Sequence, residues 1–309
     1  MSNSRFVVVS DLHGSNECFR KAIALAIEME ASGIIVAGDL SGKECYVIRE
    51  ARGGLEYRDG SRTIGVAREN LSELRRKWGD EGRYSIIVSE VPDDATYSKA
   101  FGGAKTRRLR QWIDYAGDAL SPRGIRLLMI PGNDDSEEVA AALRSEDGVG
   151  EDIDERVVLI GEHEVAGFGY SNPTPWRTAR ELPEEEIARR LTNLGDQIHD
   201  AERAVFVIHV PPLGLGIDLA PEVILDPDGG VEAAPGTQVE VGSTAVRTFI
   251  EGMQPLVVIS GHCHDSPGFA HCGRTLCLNP GSAYNSGTLY GVVLVTEKGR
   301  VRGHQGIVR

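Results

Sequence analysis

Five short apolar runs, each stopped by a carboxylate, a carboxamide or an imidazole, constrain this chain more than anything else in its sequence. The first is Phe6-Val7-Val8-Val9-Ser10-Asp11-Leu12-His13-Gly14. A β-branched run of that length reads as a buried strand. Asp11 and His13, with one residue between them, face the same way where side chains alternate, so together they can grip one cation. The second run, Ile34-Ile35-Val36-Ala37, halts at Gly38-Asp39. The third, Ile125 to Ile130, ends in Pro131-Gly132-Asn133-Asp134-Asp135. The fourth, Ala204 to Ile208, ends at His209, and the fifth, Leu256 to Ile259, ends in Gly261-His262-Cys263-His264-Asp265. One histidine at a strand end is ordinarily a structural residue, and one Gly-Asp is ordinarily a turn. Five such ends in series, with Asp-x-His and His-x-His at the same spacing, point to a single site. His163, His199, His271 and His304 lack this context.

The segments between the runs place these ends on one edge. Ser15 to Ala31 has helical periodicity, with Ser15 as its N-cap, and Gly33 ends it. Strand, helix and strand in a right-handed crossover bring Asp11 and Asp39 to the same side of a sheet. Residues 41–110 interrupt the rhythm. Cys45 to Ile48 and Gly54 to Tyr57 flank a glycine turn and read as a hairpin. Helices are predicted from Arg68 to Trp78 and from Arg107 to Leu120. This block reads as an insertion or cap within one domain spanning 1–309. Arg107, Arg108 and Arg110 read as a solvated helix face. Asp135 with Glu138 resembles a capping box for the next helix. Val157 to Ile160 pairs with Val165 to Gly169, and a Pro-rich loop, Ser171 to Trp176, follows. Helices are predicted from Pro183 to Ala201 and from Ser243 to Gly252, and strands at Thr275 to Leu278 and Leu289 to Val295. Residues 213–241, rich in Gly, Pro and Asp, read as a long loop able to close over a ligand.

Composition narrows the partners. The net charge of -13 argues against long nucleic acid, which needs a basic surface. An acidic protein that handles an anion needs concentrated local positive charge, which bound metal ions provide. The 5 cysteines, an odd count without framework spacing, favour free thiols and a cytoplasmic setting. Met1 to Ser4 leads straight into the first strand, which predicts no secretory signal, and no run approaches the roughly 20 apolar residues of a membrane span. The oligomeric state stays open, a homo-oligomer included.

Imidazole, carboxylate and amide oxygen without thiolate suit a catalytic cation site, with Mn²⁺ favoured and Fe or Zn²⁺ also suited. Asp11, His13, Asp39, Asn133, His209, His262 and His264 are too many ligands for one ion with an open position. They fit two ions sharing a carboxylate, an arrangement that clamps an in-line displacement at phosphorus.

The series Asp11-Leu12-His13, Gly38-Asp39, Gly132-Asn133-Asp134, His209 and Gly261-His262-Cys263-His264 resembles the calcineurin-like metallophosphoesterases over residues 6 to about 285. His209-Val210-Pro211-Pro212, Val241-Gly242-Ser243 and Asn279-Pro280-Gly281-Ser282 are similar to a branch related to cyclic-AMP phosphodiesterases. The resemblance implies an α/β fold, a four-layer αββα sandwich, where strand counting alone suggests one doubly wound sheet. It implies one metal on Asp11, His13, Asp39 and His264, and another on Asp39, Asn133, His209 and His262. Asp39 would bridge them, and a hydroxide between the ions would attack the phosphorus of a nucleotide-sized phosphodiester. A phosphomonoesterase, a pyrophosphate hydrolase, a phosphate sensor and a non-catalytic binding protein are the alternatives. The sequence departs from the family at Asp134, where many members have a histidine that assists the leaving group. A role for Asp134 in helix initiation or ligand orientation stands beside a catalytic one. Asp265 is a candidate to orient His264 or His262 through a ring N–H, Asn172 and His271 are candidates to approach the pocket, and Cys263 is expected to point away from the metals.

Overall fold

The structure is a computed structural model and describes residues 4–51, 54–145, 149–225 and 231–309. Its strands in chain order are β1 (Ser4–Val9), β2 (Gly33–Ala37), β3 (Cys45–Ala51), β4 (Gly54–Asp59), β5 (Arg62–Val66), β6 (Tyr84–Val88), β7 (Arg126–Ile130), β8 (Gly150–Asp152) and β9 (Val157–Ile160). They continue with β10 (His163–Phe168), β11 (Val205–Ile208), β12 (Leu219–Leu225), β13 (Val231–Glu240), β14 (Val257–Ile259), β15 (Gly268–Cys272), β16 (Thr275–Asn279), β17 (Tyr290–Glu297) and β18 (Arg300–Val308). The helices are α1 (Asn16–Glu28), α2 (Leu71–Asp80), α3 (Asp94–Leu120), α4 (Glu137–Arg144), α5 (Glu184–Gly195) and α6 (Thr244–Met253).

The continuous apolar strands are buried on both faces, and their alternation says by what. In β1, Val7 and Val9 pack with Phe19 and Ile23 of α1, Trp112 of α3 and Val139 of α4. Phe6 and Val8 face the other way and join Val205, Val207, Val257 and Ile259 of a second sheet. That second sheet turns Phe206, Ile208 and Val258 to Ile187 and Leu191 of α5 and Val246 of α6. Neighbouring residues on one strand therefore serve different layers, as a period of two requires. The protein is a mixed α/β fold with several sheets.

Two six-stranded sheets carry the core, in the orders β18-β17-β1-β2-β7-β8 and β15-β16-β14-β11-β10-β9. Within them β1, β2, β7 and β8 are parallel, as are β10, β11, β14 and β16. Asp11, Asp39 and Asn133 follow the ends of adjacent strands in one sheet, and His209 and His262 follow the ends of adjacent strands in the other. Ser15 caps α1 by accepting from Cys18 N at 3.2 Å, and Ser243 caps α6 by accepting from Val246 N at 3.2 Å. Among the described residues no helix is long and apolar enough to cross a membrane.

Residues 45–88 form a separate four-stranded sheet, β5-β4-β3-β6, with its own cluster of Ile48, Leu55, Tyr57 and Trp78. The hairpin expected from the sequence is β3 with β4, in the register Ile48 to Tyr57; residues 52 and 53 of its glycine turn lie outside the described residues. Arg108 ties this sheet to the body. Its guanidinium donates to Gly14 O at 2.7 Å and Arg83 O at 2.9 Å, and lies 3.8 Å from the Tyr84 ring centroid. Arg108 is thus a clamp rather than part of a solvated face.

Two elements differ from the sequence reading. The helix predicted to begin at Arg107 begins at Asp94, because Asp93 caps it by accepting from Thr96 N at 2.7 Å. Gly102, Gly103 and the surrounding polar residues dilute its periodicity. Residues 213–241 are not a loop throughout: β12 and β13 form an antiparallel hairpin, with Leu219 opposite Glu240. A two-stranded ribbon open to solvent tolerates the proline and glycine content that hid it. Residues 226–230 at its turn lie outside the described residues.

Candidate metal centre

The strand ends converge. Asp11, His13, Asp39 and His264 each offer a ligand atom, and these atoms all lie within 4.8 Å of one another. His13 Nε2 is 3.1 Å from His264 Nε2 and 3.4 Å from Asp39 Oδ2. His264 Nε2 is 3.3 Å from Asp11 Oδ1. On the other side of Asp39, its Oδ1 is 3.5 Å from His209 Nε2. His209 Nε2 and His262 Nδ1 approach Asn133 Oδ1 to 2.8 and 2.9 Å. All seven residues expected from the sequence meet at one place.

The local backbone is bent to bring them there. Asp11, His13, Asp39 and His262 have φ of 53°, 41°, 51° and 66°. A non-glycine residue in this left-handed region costs on the order of 1–3 kcal/mol, and surrounding structure must hold it. Asp11 N, His13 N and Gly14 N donate to Gly38 O, Asp39 O and Leu40 O at 3.0, 2.9 and 2.8 Å, zipping the first two ends together. Ser282 Oγ donates to Asp11 O at 2.7 Å. The flanking glycines are needed for close approach. A Cβ on Gly132 would lie 2.1 Å from Asp39 Oδ1, and one on Gly38 would lie 2.2 Å from His209 Nδ1.

The donor set fits a cation. His209 Nδ1 lies 2.8 Å from Ala37 O, a contact that places the ring proton on Nδ1 and leaves Nε2 bare. Asn133 Nδ2 donates to Thr178 Oγ1 at 2.8 Å, which turns Oδ1 inward. A ring nitrogen, an amide oxygen and a carboxylate oxygen then face one another. Burial and the neighbouring His264 hold His13 well below the usual imidazole range. Burial and His209 push His262 down to about 3. Both are neutral, the form that ligates metal. The two carboxylates are driven apart. Burial together with Asp134, Asp11 and Asp135 pushes Asp39 well up. At Asp11, burial acts upward but is outweighed by the hydrogen bond and charge of His264, so its carboxyl is held low. A divalent cation beside Asp39 relieves this crowding.

Four residues that matter here escaped the sequence reading. Asp135 is not a helix cap: Ser136 occupies that position, and Asp135 is fully buried. Its carboxylate accepts from Leu40 N, Ser41 N, Ser41 Oγ and Gly132 N at 2.9, 2.8, 2.6 and 2.9 Å. It therefore pins the Asp39 turn to the Asn133 turn. Thr178 orients Asn133, and Ser282 braces Asp11. Lys43 forms an ion pair with Asp134, whose backbone N–H donates to Asp39 Oδ1 at 3.0 Å. Burial opposes the charge of Asp134, but Lys43 wins and holds its carboxyl below the usual range. Two of the four carried a sequence signal: Asp135 as a second acid directly after the Asn133 motif, and Ser282 as the end of the Asn279-Pro280-Gly281-Ser282 turn.

A cavity of about 520 Å³ opens over Asp39, Asn133, His262 and His264. Asn172, Cys263 and Asp265 line it, and for Asn172 this is the approach expected from the sequence. Asp265 is exposed and makes no hydrogen bond to His262 or His264, so it does not orient them. Cys263 is buried, and burial pushes its thiol far up. His271 does not approach the cavity. It lies on the outer strand β15, beside Arg274 and His304.

No protein-family model matches the chain. The uncharacterized protein MJ1162 of Methanocaldococcus jannaschii is 32% identical over 158 residues, 50% of this chain and 64% of that protein. The match thus spans less than two thirds of that curated relative. One crystal structure matches over 100% of this chain and 99% of its own, at 16% identity and a TM-score of 0.59. The protein TT1561 of Thermus thermophilus matches over 96% and 99%, at 16% identity and a TM-score of 0.50. An archaeal phosphodiesterase is a looser likeness, at 13% identity over 99% of each chain and a TM-score of 0.38. The chain resembles the calcineurin-like metallophosphoesterases. At these identities the likeness to solved structures is one of fold, so the activity rests on the site itself.

Proposed function

We propose that this protein is a metal-dependent hydrolase of phosphoric esters, acting on a nucleotide-sized phosphodiester. The observation that carries this reading is the convergence of seven metal-competent residues from five strand ends around one carboxylate, Asp39. Asp39 turns one oxygen towards His13 and the other towards His209. That supports one ion on Asp11, His13, Asp39 and His264 and another on Asp39, Asn133, His209 and His262. Bound divalent ions supply charge for the phosphoryl oxygens and an activated water. The chain's own residues hold, orient and neutralise. Asp135 pins the Asp39 turn to the Asn133 turn, and Thr178 orients the Asn133 amide. Lys43 is the only lysine or arginine among the described residues lining the cavity, and it sits there paired with Asp134. The carboxylate that stands where relatives place a histidine thus presents an ammonium to an incoming anion.

The same reading takes the fold as a four-layer αββα sandwich, supported by three apolar clusters: helix against sheet, sheet against sheet, and sheet against helix. Residues 41–110 would form a cap beside it within one domain. The partner is a small phosphorylated molecule, and the acidic surface disfavours long nucleic acid.

Metal analysis of the purified protein, with hydrolysis of bis-p-nitrophenyl phosphate and p-nitrophenyl phosphate, tests this. Two Mn, Fe or Zn per chain and metal-dependent turnover with the diester preferred is the expected result. A monoester preference would move the assignment to a phosphomonoesterase on the same site. A metal-free, inert protein would sink the proposal in favour of a binding role.

A further inference from the structure

The cavity over Asp39 is lined unequally. Its floor is polar, while one wall is apolar, formed by Pro173, Pro175 and Trp176 of the 171–182 loop and by Leu219, Val223 and Val239 of the β12–β13 hairpin. The chain has 3 tryptophans; Trp78 and Trp112 are 4% exposed, whereas Trp176 is 59% exposed at this cavity. It is not on a loose segment. Trp176 N donates to Thr174 Oγ1 at 3.3 Å, and Thr174 Oγ1 donates to Glu181 at 2.5 Å. Glu181 also accepts from Thr178, the residue that holds Asn133. Two prolines stiffen the approach to Trp176. The chain thus anchors the Trp176 backbone and leaves its indole in water beside a phosphate-competent floor.

The lining discriminates among occupants. A polyphosphate needs several cations, and the described lining offers Lys43 alone. A sugar needs hydrogen-bond partners, which the apolar wall lacks. An alkyl chain needs no polar partner, yet the lining includes the Asn172 amide. Its Nδ2 donates to Val241 O at 3.3 Å, and its Oδ1 is buried without a partner. A planar ring with an N–H donor satisfies both features, by stacking on the indole and by donating to the amide.

We propose that this wall is the subsite for a nucleobase carried on the phosphoester whose phosphate lies over the Asp39 floor. This rests on the phosphoesterase reading and adds the identity of the organic group. The Pro-rich loop then has two tasks, since one face meets the base while Thr178 and Arg180 N, which donates to Asn133 O at 3.2 Å, hold the metal-competent amide. Base recognition and site assembly share one segment.

The test is equilibrium binding to the Mn²⁺-loaded protein of AMP, ribose 5-phosphate, octyl phosphate and inorganic phosphate, followed by calorimetry and tryptophan emission. AMP should bind roughly 10-fold or more tighter than ribose 5-phosphate, the lower range of a base–aromatic stack, and should quench emission. Trp176→Ala should erase that preference, with ribose 5-phosphate affinity and metal content unchanged, and Trp176→Phe should keep most of it. Equal affinity for AMP and ribose 5-phosphate, a preference that survives Trp176→Ala, or octyl phosphate binding as tightly as AMP would each overturn the subsite while leaving the phosphoesterase reading intact. If the metal-loaded protein binds none of these phosphates, both readings fall.

Discussion

The floor of the cavity comes from strand ends and its wall from a loop and a hairpin. Five of the seven floor ligand candidates are buried and His262 and His264 are half-buried, several sit in left-handed backbone, and hydrogen bonds between strand ends hold the turns. The wall residues stand on an exposed loop and a two-stranded ribbon, and Trp176 and Val239 are among the exposed large apolar side chains of the described residues. A floor made this way has little freedom to change without losing its ligand geometry, whereas a wall made this way can vary while the floor stays intact. The floor should therefore govern whether metal and phosphate bind, and the wall which phosphate.

The largest effect that would break this division is at Asp39. Asp39→Ala, like exhaustive chelation, should reduce hydrolysis to background and lose both ions by metal analysis. A variant that stays fully loaded would remove Asp39 from the centre of the site. Next is Asp135→Asn, which leaves the shape but weakens four hydrogen bonds to a carboxylate. Metal affinity should fall about 10- to 100-fold, as for other residues that support ligands, and the thermal midpoint should drop. Unchanged affinity would show that the two turns hold themselves.

Lys43→Met tests the boundary between floor and wall. We expect a rise in KM of about tenfold, the loss of one charge-assisted contact, with metal content unchanged. If metal content collapses instead, the Lys43–Asp134 pair is part of the scaffold. Asp134→His should change leaving-group preference at constant metal content. The smallest expected effect is on pH. His262 is pushed down to about 3 in the folded protein, against about 6.5 in an unfolded chain. The unfolded state therefore binds the extra proton between these values, and stability present above pH 6.5 is lost as pH falls through that window. Denaturant midpoints of the metal-free protein at pH 7 and 5 should differ more in wild type than in His262→Gln.

The floor was legible because each of its residues ends an apolar run, and a parallel sheet brings such ends to one edge. Asp135 was misassigned because an acid before a helix is ordinarily a cap. Its actual partners, Leu40 and Ser41, lie more than 90 residues away in sequence. Lys43 and Thr178 carried no signal, since each matters only through a partner that the fold brings to it. The β12–β13 hairpin was read as loop because its glycine and proline content matches a turn. Its strand pairing comes from register across residues that composition does not see.

By itself the sequence determined the five core strands that end at the site, the apolar runs that bury them, and the seven residues competent to hold cations, because periodicity and residue chemistry are local properties. Only the tertiary structure decided that Asp39 offers one oxygen to each side, that Asp134 holds Lys43, and that Trp176 lines the cavity over the floor. Those facts depend on distances between residues remote in the chain, which packing sets and local sequence does not.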